Sequence, residues 1–237
     1  MMNSVSERQR HMIDVIAAEA RSCAQWVGRA AIDSRVMAAM AEVPRHEFVP
    51  AELRHAAYDN GPLPIGHGQT ISQPYIVALM TDLLEPRPGD VILEVGTGSG
   101  YQAAVLSRLV SKVYSLEIVD VLARQARERL RRLHYDNVEV LSGDGCVGLP
   151  EYAPFDGIIV TAAPAVVPRV WLDQLRPDAK LVIPVGGRYT GQQLRVMDKD
   201  EDGAVHSRSV LPVAFVPLVD VPESVVAVGE ERIDDVS

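Results

Sequence analysis

Three carboxylates in the middle of this 237-residue chain, Glu94, Glu117 and Asp144, stand where chemistry on a bound ligand could begin. Each lies at the end of a short apolar run, and the first leads directly into a glycine turn, Glu94-Val95-Gly96-Thr97-Gly98-Ser99-Gly100. Glycines at such a turn accept positive φ and let a ligand touch the backbone. The spacing is Gly-x-Gly-x-Gly rather than the Gly-x-Gly-x-x-Gly of dinucleotide sites, and an acidic residue stands two places before the first glycine. That combination suits a ligand with an ammonium group and no phosphate. Glu117, 21 residues after Gly96, is placed to accept both hydroxyls of a ribose, a charge-assisted contact worth about 1.5–3 kcal/mol. Nicotinamide sites share this feature, so alone it does not decide between ligands. Asp144-Gly145 follows the third run, where an adenine edge would lie. Singly, each acid has a structural alternative: Glu94 could pair with a surface arginine, Glu117 could cap the next helix, and Asp144-Gly145 could be only a turn. Their joint placement on successive strand ends favours a ligand site.

The elements that must position these residues alternate strictly from Pro74 onward. Pro74 suits the first turn of a helix through Ile76, Leu79, Met80, Leu83 and Leu84. Strands are predicted at Asp90–Val95, Val113–Leu116, Val138–Leu141, Gly157–Thr161 and Leu181–Val185. Helices are predicted from Tyr101 to Leu109, along the arginine-rich stretch after Leu116, and around Trp171, Leu172 and Leu175. Such alternation demands a parallel sheet with right-handed crossovers and helices on both faces. Leu194–Met197 and Val205–Val210 flank a polar turn and read as an antiparallel hairpin, with a further strand at Val213–Val216. Residues 1 to about 57 read as helical, with Ser34 as a cap and Pro44 as a stop. From Tyr58 to Pro74, Gly61, Pro62, Pro64, Gly66 and Gly68 break any regular element, and long loops of this kind are often functional. The division is therefore 1–73 for N-terminal helices and a substrate loop, 74–220 for an α/β, doubly wound, Rossmann-like domain, and 221–237 for an acidic, poorly periodic tail, expected to be loose.

Charge and composition narrow the partners. The net charge of −9 argues against a phosphate backbone as partner. The densest basic run, Arg124, Arg127, Arg129, Arg131 and Arg132, has the spacing of a solvated face, with Leu122, Ala126, Leu130 and Leu133 turned inward. Neither a secretory signal nor an apolar run of the roughly 20 residues that span a bilayer is visible, so a cytoplasmic protein is the default. Cys23, Cys146 and the six histidines lack metal-ligand spacing, so no metal is expected. His67 reads as a surface histidine on a loop.

Several separated motifs then occur in order. They are Val43-Pro44-Arg45 with Phe48-Val49-Pro50, the loop Pro62-Leu63-Pro64-Ile65-Gly66-His67-Gly68-Gln69-Thr70-Ile71-Ser72-Gln73-Pro74, and Leu93 through the glycine turn to Gln102. Phe155-Asp156-Gly157-Ile158-Ile159-Val160-Thr161-Ala162-Ala163-Pro164 and Phe215-Val216-Pro217-Leu218 follow. Over roughly residues 30 to 220 the chain resembles the protein-L-isoaspartate (D-aspartate) O-methyltransferase family. The resemblance implies the class I S-adenosylmethionine-dependent methyltransferase fold, mainly parallel, with an N-terminal helical cap and a C-terminal antiparallel hairpin. It implies methyl transfer from S-adenosyl-L-methionine to the free α-carboxylate of L-isoaspartyl residues, and less well of D-aspartyl residues, leaving S-adenosyl-L-homocysteine. The ester collapses to a succinimide, which begins repair. Carried over, Ser72 is the active-site serine, and Thr70, Ile71 and Ser72 line the cofactor and substrate pocket. Glu94, Gly96, Thr97, Gly98, Ser99 and Gly100 surround the methionine part, Glu117 holds the ribose, and Asp144 and Gly145 lie by the adenine. Cys146 departs from the family, whose members often carry an aromatic residue there. Peptides and proteins containing L-isoaspartyl residues are the implied partners, with no nucleic acid and no membrane; a monomer is the expectation.

A carboxylate is ionised at neutral pH and needs no general base. What remains is alignment, which can offset about 7–11 kcal/mol of barrier. Ser72 is expected to donate a hydrogen bond that orients the carboxylate; its other role is to cap the helix ahead of Pro74, and both could hold. Methyltransferases acting on exocyclic amines commonly carry Asn/Asp-Pro-Pro-aromatic where this chain has Thr161-Ala162-Ala163-Pro164, which disfavours nucleobase methylation. Two other readings stand: the same fold turned to a small-metabolite acceptor, and a non-catalytic cofactor sensor.

Overall fold

The computed structural model describes residues 4–187 and 191–218. The acidic tail expected at 221–237 lies outside the described residues. The chain opens with helix α1 (Val5–Ser22), α2 (Ala24–Val27) and α3 (Ser34–Glu42), followed by short 3-10 turns at Arg45–Phe48 and Ala51–Ala56. Ser4 and Glu7 close a reciprocal capping box on α1. The cap of α3 is Asp33 rather than Ser34, because the longer-reaching carboxylate accepts from the Arg35 N–H at 2.7 Å and leaves Ser34 as the first helical residue.

The segment expected to be irregular is a hairpin instead. Strands β1 (Leu63–Gly66) and β2 (Gln69–Ile71) pair antiparallel, Leu63 against Ile71 and Pro64 against Thr70. Proline is tolerated in such a ribbon because edge strands leave one backbone face unpaired. The turn is made by Gly66, His67 and Gly68, all at positive φ (91°, 53° and 72°). His67 sits exposed at the tip, as the sequence suggested. Helix α4 (Pro74–Leu84) follows, with proline in its first turn.

The doubly wound body contains β3 (Val91–Val95), α5 (Tyr101–Ser107), β4 (Lys112–Glu117), α6 (Asp120–Arg132), β5 (Val138–Ser142), β6 (Phe155–Val160), α7 (Arg169–Asp173), β7 (Leu175–Val185), β8 (Gln192–Lys199) and β9 (Val205–Val213). The sheet order is β5-β4-β3-β6-β7-β8-β9, parallel from β5 to β7 and antiparallel for the last two pairings. Two details differ from the sequence reading. Leu175 opens β7, paired with Phe155, rather than extending α7. Ala214–Val216 continue past β9 without forming a strand, turning instead toward the loop after β6 through a parallel bridge between Ala163 and Pro217.

Alternation along the strands divides the interior. Ile92, Val113, Ile159 and Val182 face the helices α1, α3, α4, α5 and α6, whereas Leu93, Val95, Ile158, Val160, Leu181 and Ile183 face fully buried Trp171 of α7. This period of two puts Glu94 on the α4–α5 side, among the apolar residues of that face. Among the described residues no helix is long and apolar enough to cross a membrane, and no three metal-ligating side chains cluster.

Candidate active site

The strand order reverses at β3: the chain crosses from β3 to β4 on one side, while β6 flanks β3 on the other. Ligands in doubly wound sheets lie beyond the carboxyl ends of the strands at such a point. Here the glycine turn starts with Gly96 at φ 97°, its N–H and that of Thr97 both donating to the Leu116 carbonyl at 2.8 and 3.1 Å. A side chain at Gly96 would meet the Thr161 hydroxyl 2.5 Å away, and its backbone angle disfavours one as well. Thr161 Oγ1 reaches the carbonyls of Val95 and Gly96 at 3.2 and 2.5 Å, binding the end of β6 to the turn.

Glu117 closes the other side of the turn. Its two oxygens accept from the N–H groups of Gly98 at 2.7 Å and Val119 at 2.9 Å. Val119 is the N-cap residue of α6, so the capping alternative is partly realised. A carboxylate has about four lone-pair sites, and two remain for outside donors. Arg129 on α6 reaches back to the Ser99 carbonyl at 2.8 Å and holds the far end of the turn. The basic face of α6 is therefore only partly solvated, since Arg127 also donates to the Val140 carbonyl.

Glu94 is wholly buried. Register sets it beside Ser115, whose hydroxyl donates to Oε2, while Thr97 Oγ1 lies 2.6 Å from the same Ser115 oxygen. Since Ser115 spends its proton on Glu94, Thr97 is the donor in that second bond. Oε1 has no hydrogen-bond partner. Burial pushes the Glu94 carboxyl up to about 8, against the lowering effect of Ser115, with the nearby Glu117 raising it further.

Three adjoining recesses run along this rim and share Thr70 and Thr161. A narrow cleft is lined by Gln69, Gly96, Gly98, Glu117, Ile118 and Gly145. A small inner recess lies over Glu94, Thr97 and Ser99 and also touches Ile71 and Ser72. A wider one of about 430 Å³ is lined by Pro62, Ser72, Gln73, Ile76 and the segment Pro212–Val216. The three run from Glu117 past the glycine turn to Ser72.

Most expected residues therefore converge, with two exceptions. Gly100, at φ 86°, faces α6 instead: a β-carbon there would lie 3.2 Å from Leu130 and 3.5 Å from Ala126, a tight fit on a backbone angle that already disfavours a side chain. Asp144 does not line the cleft with Gly145; its carboxylate accepts from the Cys146 N–H at 2.8 Å and shapes the turn. The Ser72 hydroxyl does not cap α4. The cap residue is Gln73, without a side-chain bond, and the Tyr75 N–H is satisfied by remote Asn60 Oδ1 at 3.1 Å. Sequence reasoning missed Gln69, Ile118, Val119 and Thr161, and the segment Val216–Leu218. That segment closes the cleft because Ala163 N–H donates to the Val216 carbonyl and Leu218 N–H to that of Ala163. The nearest signal for it was the Phe215–Leu218 motif, which carried no ligand role.

A sulfonium nucleoside with an amino-acid tail fits these residues. It would bring an ammonium to the orphaned Glu94 oxygen and hydroxyls to the spare sites of Glu117, and its net positive charge matches two carboxylates. A doubly wound sheet whose switch point offers acids in place of a phosphate cradle is that of a class I S-adenosylmethionine-dependent methyltransferase. Residues 26–223 match the model of the family described as protein-L-isoaspartate(D-aspartate) O-methyltransferase. The chain belongs to this family. It is 58% identical to protein-L-isoaspartate O-methyltransferase 2 of Syntrophobacter fumaroxidans, over 87% of this chain and 84% of that protein. It is equally 58% identical to the enzyme of that name from Nitrosococcus oceani, over 88% of this chain and 95% of that one. A solved protein-L-isoaspartate O-methyltransferase superposes with a TM-score of 0.75 at 26% identity, covering 88% of this chain; the match spans 65% of that structure's own chain. A Plasmodium falciparum structure assigned to the same activity, in complex with S-adenosyl-L-homocysteine, superposes with a TM-score of 0.69 at 27% identity, over 79% of this chain and 91% of that one.

Proposed function

We propose that this chain transfers a methyl group from S-adenosyl-L-methionine to the free α-carboxylate of L-isoaspartyl residues, and less well D-aspartyl residues, in damaged proteins. The observation that carries the reading is the junction at Thr70 and Thr161, which joins the acid-floored cleft to the recess containing Ser72. When bound, the cofactor supplies a methyl group on a sulfonium sulfur, already a good electrophile.

The chain's own residues have three tasks. Glu117, braced by the Gly98 N–H, holds the nucleoside end, and Gly145 borders it. Glu94 accepts the ammonium through Oε1. Ser72, its hydroxyl not engaged in capping α4, donates to one oxygen of the substrate carboxylate and turns the other toward the cleft. The described side chains lining the three recesses include no histidine, cysteine, lysine or arginine, and both acids lie at the cofactor end. An acceptor already ionised at neutral pH is what such a lining can serve. An amine acceptor would need a partner for its proton.

The proposal extends to a cytoplasmic monomer that binds no nucleic acid. Its support is the net charge of −9 and the engagement of Arg127, Arg129 and Arg132 with groups of their own chain. The test offers labelled cofactor to an isoaspartyl peptide and to its normal aspartyl twin. Label should enter the first alone; equal labelling of both, or of neither, defeats the reading.

A further inference from the structure

Arg45 is fully buried, yet among the described residues no carboxylate forms an ion pair with it. Its guanidinium is held by carbonyl oxygens instead. Nε donates to Ala57 at 2.8 Å, and Nη2 donates to Ser72 at 2.8 Å and reaches Gly61 at 3.5 Å. Cζ lies 4.8 Å from the centroid of the Tyr101 ring, and Nη1 has no partner. Gly61 precedes β1 and Ser72 follows β2, so one side chain ties both stems of the hairpin to the end of a 3-10 turn. Tyr101, beneath the guanidinium, also lines the inner recess.

Burying a cation without a countercharge costs several kcal/mol, and an apolar side chain of similar volume would fill the same space without that cost. Burial lowers the guanidinium to about 10, which leaves it charged at neutral pH. Packing therefore does not explain the residue; its bonds do. A planar fork can hold several carbonyls in fixed directions at once, which a lysine ammonium on a flexible stem cannot reproduce.

We infer that Arg45 is a positioning residue, clamping the Ser72 backbone so that the Ser72 hydroxyl is held where the substrate recess meets the inner recess over Glu94. The inference rests on the role given to Ser72 above. Misplacement of a reacting group by about 1 Å can cost about 100-fold in rate, so loss of the fork is expected to lower turnover while the cofactor cleft is left intact.

The test is a double-mutant cycle on the full chain, with Arg45→Lys, Arg45→Met, Ser72→Ala and each combination. Thermal melting and titration with S-adenosyl-L-homocysteine accompany the kcat measurement on an isoaspartyl peptide. Arg45→Lys and Arg45→Met should each lower kcat about 10- to 30-fold, with cofactor affinity within about twofold of the parent. In the Ser72→Ala background the same substitutions should change kcat by less than about threefold, because there is no hydroxyl left to misplace. If the losses multiply across the cycle, or if cofactor affinity falls as far as kcat, Arg45 is a structural residue and the inference fails. It fails equally if neither Arg45 variant folds. Full activity in Ser72→Ala alone would instead overturn the role of Ser72, a distinct outcome.

Discussion

The two halves of the site are built on different physical plans. On the cofactor side, the turn after β3 is fixed by the sheet: backbone bonds from Gly96 and Thr97 to Leu116, and short-range contacts from Glu117 and Thr161 at neighbouring strand ends. On the substrate side, the hairpin β1–β2 belongs to no large sheet and is anchored by side chains from distant parts of the chain. Arg45 grips its stems, and Glu19 of α1 accepts from Asn60 and Gln73 at its two ends. The first plan places atoms through register; the second places them through a few replaceable clamps. Substitutions should sort accordingly, with the cofactor side failing in binding and the substrate side failing in turnover or peptide KM.

Glu117→Ala gives the largest expected effect and the sharpest break. It removes the ribose acceptor and releases the Gly98 and Val119 N–H groups together. Each hydrogen bond to a charged group is worth about 1.5–3 kcal/mol, so affinity for S-adenosyl-L-homocysteine should fall about 100-fold by calorimetry. Unchanged affinity would remove the ribose assignment. Next comes Ser72→Ala, which deletes one donor to a charged oxygen. Turnover on an isoaspartyl peptide should drop about 30-fold, near 2 kcal/mol, while cofactor affinity moves less than about twofold. A parallel loss of both would mean the two halves are not separable at Ser72.

The third effect is a pH dependence confined to the cofactor side. In the ligand-free chain burial holds the Glu94 carboxyl protonated up to about 8. An ammonium at Oε1 favours the ionised form, so binding releases a proton below that value. Affinity should rise about fivefold between pH 7 and pH 8 and level off near pH 9. Glu94→Gln should bind more weakly at pH 8 and lose the slope. Stability carries the opposite sign. The folded group keeps its proton to about 8 where the unfolded one releases it near 4.5, so this group's contribution is full below about 4.5 and is lost as pH rises through about 8. Urea titrations of the ligand-free protein across that window check it.

The same contrast explains what could be read in the sequence. The parallel body was legible because strands β3 to β6 are buried apolar runs with glycine or acid at their ends, and period and punctuation agree there. Glu94 and Glu117 followed from position alone. Asp144 was harder, since a carboxylate after a strand can face a ligand or close its own turn, and here it accepts from the Cys146 N–H. The hairpin was hidden because Pro62, Pro64, Gly66 and Gly68 read as breakers, although an isolated ribbon tolerates proline and uses glycine at its tip. Arg45 and Asn60 carried no local signal as clamps, because their partners lie 27 and 15 residues away. The motif containing Arg45 was visible, but its task required three dimensions.

The smallest effect tests whether those clamps matter singly. Glu19→Ala leaves the Asn60 and Gln73 amides without their acceptor, at a half-buried place where water can replace part of it. Asn60 Oδ1 still receives the Tyr75 N–H, so α4 keeps its remote cap but the cap loses its own support. The net loss should be near 1 kcal/mol, seen as a melting temperature lower by about 2–4 °C. Peptide KM should rise up to about fivefold, because Gln73 and Ser72 line the same recess, whereas cofactor affinity stays put. Should cofactor affinity fall with peptide KM, the hairpin and the glycine turn share one support and the division between the two halves is wrong. A shift in peptide KM alone shows that a clamp set 54 residues from Gln73 tunes only the substrate side.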